Sequence, residues 1–109
     1  MAATYKVLGQ VNPSAITATS LYTVPAATQT VCSTLVIANI SSIAGSFRVA
    51  VRPAGAALEN KHYISYDTAI AGNDSIFLTL GISLSATDVI TVYASSANLC
   101  FNLYGSEIA

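Results

Sequence analysis

Between Lys6 and Arg48 the chain carries no charged residue at all: positions 7–47 are filled chiefly with Ala, Ser, Thr, Val, Ile and Leu. Disorder does not produce such a stretch, because disordered segments combine low hydrophobicity with high charge. Its β-branched residues suit a pleated, half-buried surface, so the segment reads as sheet. The rest of the chain is nearly as poor in charge. Only 8% of the 109 residues are charged against 53% hydrophobic, where an average soluble domain carries roughly 25% charged residues.

Strand candidates separated by turn chemistry recur from end to end. They are Thr4 to Leu8, Ala15 to Val24 (stopped by Pro25), Gln29 to Ile40, Ser46 to Arg52, His62 to Asp67, Ser75 to Leu80, Val89 to Ala94 and Leu99 to Tyr104. In the fourth, Phe47, Val49 and Val51 alternate with Arg48, Ala50 and Arg52, the mark of a strand with one buried face. Ser41 to Gly45 and Gly72-Asn73-Asp74 read as turns, Pro53 to Asn60 as a loop or a single helical turn, and Ser95 to Asn98 as a hairpin loop. Eight short strands without sustained helical periodicity predict an all-β chain, an antiparallel β-sandwich of jelly-roll type. The apolar sets Phe47/Val49/Val51, Ile76/Leu78/Leu80, Ile90/Val92 and Leu99/Phe101/Leu103 are expected to meet between the sheets. Residues 1–109 form one domain in this reading, with 1–14 as a partly extended N-terminal arm.

Several classes of function are disfavoured on composition. Four cations and a net charge of −1 give no electrostatic footprint for nucleic acid or an anionic membrane. The apolar runs fall far short of the about 20 residues of a spanning helix. After Lys6 the string VLGQVNPSAIT is too polar for a secretory signal, which leads to an expectation of cytosolic synthesis. Cys32 and Cys100 are then read as free thiols, although adjacent strands would let them bridge, and the sequons at Asn39 and Asn73 as unglycosylated.

Candidates for chemistry are few. His62, the only histidine, stands beside Lys61 and Tyr63 and is read as a surface or interface residue, with no nucleophile motif or phosphate-cradling glycine loop to accompany it. Asp67, Asn73 and Asp74 flank one turn and offer oxygen ligands for calcium, yet Asp and Asn are also ordinary turn formers. No cofactor or metal is expected. Tyr63 and Tyr66 are the candidates for a sugar platform, but an offset of three places them on opposite faces of a strand. Arg48 and Arg52 share a face and suit a carboxylate on a partner chain, or Glu59, Asp67 or Asp74 of the same chain.

A small sandwich with so little charge is poorly protected against association. Interface cores are depleted of charge, so the chain is expected to be a homo-oligomer, with Thr34 and Val36 of the uncharged segment, together with Arg48 and Arg52, as interface residues. The strings LGQ (Leu8 to Gln10), LYTVPA (Leu21 to Ala26), NKHYISYD (Asn60 to Asp67), GNDSIFLTLGISLSATDVITVYAS (Gly72 to Ser95) and FNLYG (Phe101 to Gly105) resemble a small module of structural proteins in tailed bacteriophages, including those infecting cyanobacteria. The likeness spans nearly the whole chain, and its most specific part is the string from Gly72. It implies a virion component without enzymatic activity, in a head, neck or tail, and assigns no residue a role. The expectation is a trimeric capsid decoration or cement protein, assembled onto the major capsid protein in the host cytoplasm. A tail, neck or baseplate component is the alternative, and a carbohydrate-binding adhesion module using Tyr63, Tyr66, His62 and the Asp67 to Asp74 turn the third reading.

Overall fold

The computed structural model describes residues 2–109, an elongated slab of 45 × 27 × 19 Å made of two four-stranded antiparallel sheets. The strands are β1 (Ala3–Val11), β2 (Thr19–Thr23), β3 (Gln29–Asn39), β4 (Gly45–Arg52), β5 (Tyr63–Ile70), β6 (Ser75–Leu84), β7 (Val89–Ala94) and β8 (Leu99–Ile108). Sheet A has the order β1-β8-β3-β6 and sheet B the order β2-β7-β4-β5. The first strand pairs with the last, the second with the seventh, the third with the sixth and the fourth with the fifth. That is a long hairpin wound twice into two facing sheets, the jelly roll of the sequence reading.

The core follows from side-chain alternation. Leu35 and Ile37 of β3 and Leu99, Phe101 and Leu103 of β8 point inward from sheet A, and Phe47, Val49, Ile90 and Val92 from sheet B; all are buried. Phe47 and Phe101 meet edge to face across the layers, with centroids 6.2 Å apart. Ile76, Leu78 and Leu80 join this core only half-buried, because β6 is an edge strand. On the opposite side β1 and β2 close together. A Cβ added at Gly9 would collide with the Leu21 carbonyl oxygen, so glycine is what lets these strands approach.

Several local expectations change. Ala15 to Ala18 is turn and irregular chain, and Ile16 there has a φ of 55°, outside regular strand geometry. Ala3–Val11, at the chain start, is paired along its length with β8. Ser95 to Asn98 is not a hairpin loop: β7 belongs to sheet B and β8 to sheet A, so the segment arches between layers. Its Ser95 backbone N–H donates to the Ser46 carbonyl (3.0 Å) and its hydroxyl accepts from the Ser46 N–H (2.9 Å). His62 precedes β5 in a short 3-10 turn, Asn60–His62. It is buried, and its Nδ1 accepts the Glu59 backbone N–H at 3.0 Å, so it shapes the turn instead of facing solvent.

Candidate interaction surface

The outward residues of sheet A line up in rows across its four strands. Tyr5, Ser106, Val31 and Ser83 form one; Val7, Tyr104, Thr34 and Thr79 the next; Gln10, Asn102, Val36 and Phe77 the third; Cys100, Ala38 and Ser75 close the set. None of the chain's four basic and five acidic residues falls in these rows. Large apolar groups lie open among them, with Tyr5 85% and Phe77 70% exposed and Val7, Val31 and Tyr104 also exposed. On this outer face the side-chain pair that bridges β1 and β8 is neutral, Gln10 Nε2 donating to Asn102 Oδ1 at 2.7 Å. Four strands at about 4.8 Å spacing and about 30 Å of length give a face on the order of 600 Å², close to the ~800 Å² per partner of a stable complex.

Lys6 and Glu107 belong to inward rows at the rim of this sheet, and there they neutralise each other. Lys6 Nζ donates to Glu107 Oε1 at 2.8 Å, and the Tyr22 hydroxyl reaches across from sheet B to donate to Oε2 at 2.6 Å. With its proton so committed, the Tyr22 hydroxyl accepts from the buried Thr30 hydroxyl at 2.8 Å. Lys6, and after it Tyr22, holds the Glu107 carboxyl below the usual carboxylate range. Burial, reinforced by Glu107, pushes the Tyr22 phenol well above its ordinary value. The charge that the sheet carries is therefore paired at its rim, off the outer face.

Sheet B presents a different outer surface, where Arg48 and Arg52 do share a face as expected. Both are engaged within the chain. Arg48 grips Asp67 through Nε (2.6 Å) and Nη2 (3.3 Å), and its guanidinium lies between the rings of Tyr66 and Tyr93, 4.2 Å from each centroid. Arg52 donates from Nε to the Thr91 hydroxyl (3.0 Å) and from Nη1 to the Ala56 carbonyl (3.0 Å), pinning the loop after β4 over β7. Asp88 fastens the same loop by accepting the Ala54 N–H at 2.8 Å. Desolvation pushes its carboxyl up, but the N–H groups of Ala54 and Ser85 and the Ser85 hydroxyl together outweigh that and hold it below the ordinary range. The four residues singled out from the sequence thus divide: Thr34 and Val36 lie on sheet A, Arg48 and Arg52 on sheet B.

Tyr63 and Tyr66 are not on opposite faces. Their rings touch edge to face, 4.9 Å apart. β5 is irregular against β4 in two places, where three residue steps (Ser65 to Thr68) face two of β4 (Phe47 to Val49) and two steps (Tyr63 to Ser65) face one (Val49 to Ala50), and Asp67 sits at φ 49°. The extra residues reset the alternation and turn Tyr66 back toward Tyr63. Together with Asn60 they line a shallow groove of about 490 Å³. The calcium candidates do not converge: Asp67 is drawn to Arg48, and Asp74 Oδ1 accepts the Ser75 N–H. Among the described residues no three His, Cys, Asp or Glu side chains gather in a metal-binding arrangement. Cys32 points into the core and Cys100 outward, and both are free. No family model matches the chain, and no curated protein matches it.

Proposed function

We propose that the chain is a non-enzymatic structural component of a tailed-phage virion, a capsid decoration or cement protein that works as a homotrimer and packs against its own copies and the major capsid protein. The single observation that supports this most is the charge-free outer face of sheet A, built on the uncharged segment noted in the sequence. A free-standing monomer has no use for Tyr5 and Phe77 so far exposed on one sheet face, whereas charge-depleted, aromatic surface is what interface cores are made of. The resemblance to phage structural modules points the same way. Binding only to the assembled head stabilises that state over its dissociated parts, as any ligand stabilises the form it binds.

Co-sedimentation of purified protein with undecorated heads tests the reading. Saturable binding at micromolar concentration supports it, and free protein left in the supernatant at all concentrations contradicts it. Copy number separates head from tail: a cement protein is present in hundreds of copies per virion, a neck or baseplate ring in roughly a dozen, since closed rings hold few subunits.

One observation favours a second reading as a carbohydrate-binding module, namely the convergence of Tyr63, Tyr66 and Asn60 on one groove. A tyrosine face and an amide are the groups a sugar ring stacks on and bonds to. A glycan array on which Tyr66→Ala abolishes specific binding would promote this reading over the first.

A further inference from the structure

We infer that β6 is a self-pairing edge, joining two copies of this chain in a two-fold antiparallel contact that extends sheet A from one subunit into the next. The contact deepens the self-association reading above but uses a different surface.

Exposed edge strands invite pairing with other chains, and proteins blunt them with charge, shortness or bulges. Three of the four edges here are blunted. β1 carries Lys6, β2 has only five residues, and β5 is irregular in two places and bears Asp67. β6 is different. Its sequence SIFLTLGISL has ten residues, no charge and no proline, and it is bonded to β3 on one side alone. From Ser75 to Thr79 its register is regular, the irregularity falling between Thr79 and Ile82.

The sandwich is also open beneath this edge. A groove of about 410 Å³ runs between β6 and β5, with Ile64, Leu78, Leu80 and Ile82 on its walls. Ile64 is 49% exposed. A two-fold axis through Leu78, perpendicular to sheet A, sets Leu78 against its counterpart and Ile76 against Leu80 on the core side, and Phe77 against Thr79 outside. Like faces oppose like faces, as an antiparallel pair requires. The same axis brings the two apolar grooves together, so Ile64 of each copy is covered.

A second copy is the occupant that the charges select. Pairing β6 with itself adds no charged residue of either strand to the contact, whereas pairing it head-to-tail with β1 brings the half-exposed Lys6–Glu107 pair into it. The area is that of a weak but specific contact. The axis through Leu78 pairs Ser75 to Gly81 of each copy, a length of about 23 Å, and over the 19 Å thickness of the slab that is on the order of 440 Å² a side, at the small end of specific interfaces. A two-fold and a three-fold contact coexist in closed D3 symmetry, so the trimer is compatible with it.

Disulfide trapping tests the pairing in solution without heads, so failure of head binding leaves the result readable. In a Cys100→Ser background, Leu78→Cys under mild oxidant is expected to give a covalent dimer about tenfold or more above that of Ser20→Cys on the β2 edge, because a fixed contact raises the effective thiol concentration. Adding Leu80→Lys, whose ammonium lies along the groove, is expected to abolish the dimer with the β circular-dichroism spectrum intact. A dimer yield for Leu78→Cys no higher than for Ser20→Cys overturns the proposal. So does a Leu78→Cys chain that links only to another protein in virions, which would make β6 a docking strand for that partner.

Discussion

The rings of Tyr63 and Tyr66 meet at 4.9 Å although three residues separate them along one strand. The cause is local: β5 gains one residue against β4 between Tyr63 and Ser65 and another between Ser65 and Thr68, where Asp67 takes φ 49°, and the aromatic pair lands on the side where Arg48 lies between Tyr66 and Tyr93. Asp is one of the few residues that enters this left-handed region readily, and its carboxylate then reaches Arg48.

Position 67 therefore answers differently to two substitutions. Asp67→Asn keeps the backbone tolerance and loses the ion pair, whereas Asp67→Val loses both and adds about 1–2 kcal/mol of strain. Urea unfolding is expected to rank wild type, then Asn, then Val. Equal midpoints for Asn and Val would mean that the left-handed turn at 67 carries no cost.

The Tyr22 hydroxyl ties β2 to β3 and β8, and Glu107 extends the link to Lys6 of β1. Tyr22→Phe leaves the buried Thr30 hydroxyl without its acceptor and Glu107 Oε2 without its donor, so a loss of about 1–3 kcal/mol is expected in denaturant unfolding at neutral pH. A loss below about 0.5 kcal/mol would show that the network adds little.

Acid should act through the same carboxylate. Glu107 and Asp88 are held below the ordinary carboxylate range, so the folded state binds their protons less readily than the unfolded chain does. Their contribution is complete above the unfolded values of roughly 4 and is lost as pH falls through the depressed folded values. Unfolding free energy is expected to hold from pH 7 to about 5 and to decline below. Glu107→Gln should flatten part of that decline, and an unchanged acid limb in this variant would remove Glu107 from the account.

The two cysteines should react apart. Burial pushes the Cys32 thiol up to about 11, while Cys100 lies half-exposed on the outer face of sheet A. With a thiol reagent at pH 8, Cys100 is expected to label in the dissociated native chain and Cys32 only on unfolding. Assembly through sheet A should slow Cys100 in turn.

Alternation made the strands legible, since Phe47/Val49 and Leu99/Phe101/Leu103 mark inward faces on any sheet. The charge gap marked one of the two central strands of the uncharged surface, β3, but not its extent: Tyr5, Phe77 and Tyr104 join Thr34 and Val36 only through pairing of chain segments far apart in sequence. Assignment of strands to sheets was hidden for the same reason, as Ser95 to Asn98 has the same turn residues whether it closes a hairpin or arches between layers. The Tyr63–Tyr66 contact was hidden because a bulge cancels period-two counting. His62 was misplaced because nothing in its neighbours Lys61 and Tyr63 announces the Glu59 N–H that its ring accepts.

The most direct test of the packing role of sheet A is Thr34→Asp. Thr34 lies at the centre of the uncharged face, half-buried and pointing away from the core. An unpaired carboxylate buried in a contact costs several kcal/mol, whereas one facing solvent changes stability by roughly 0.5 kcal/mol or less. Native mass spectrometry, with circular dichroism to follow folding, is expected to show a trimer-based wild type. The variant should keep its β spectrum and fall to no more than two chains, the pair that β6 allows. A wild type that is monomeric, or a folded Thr34→Asp variant of undiminished mass, would contradict the account.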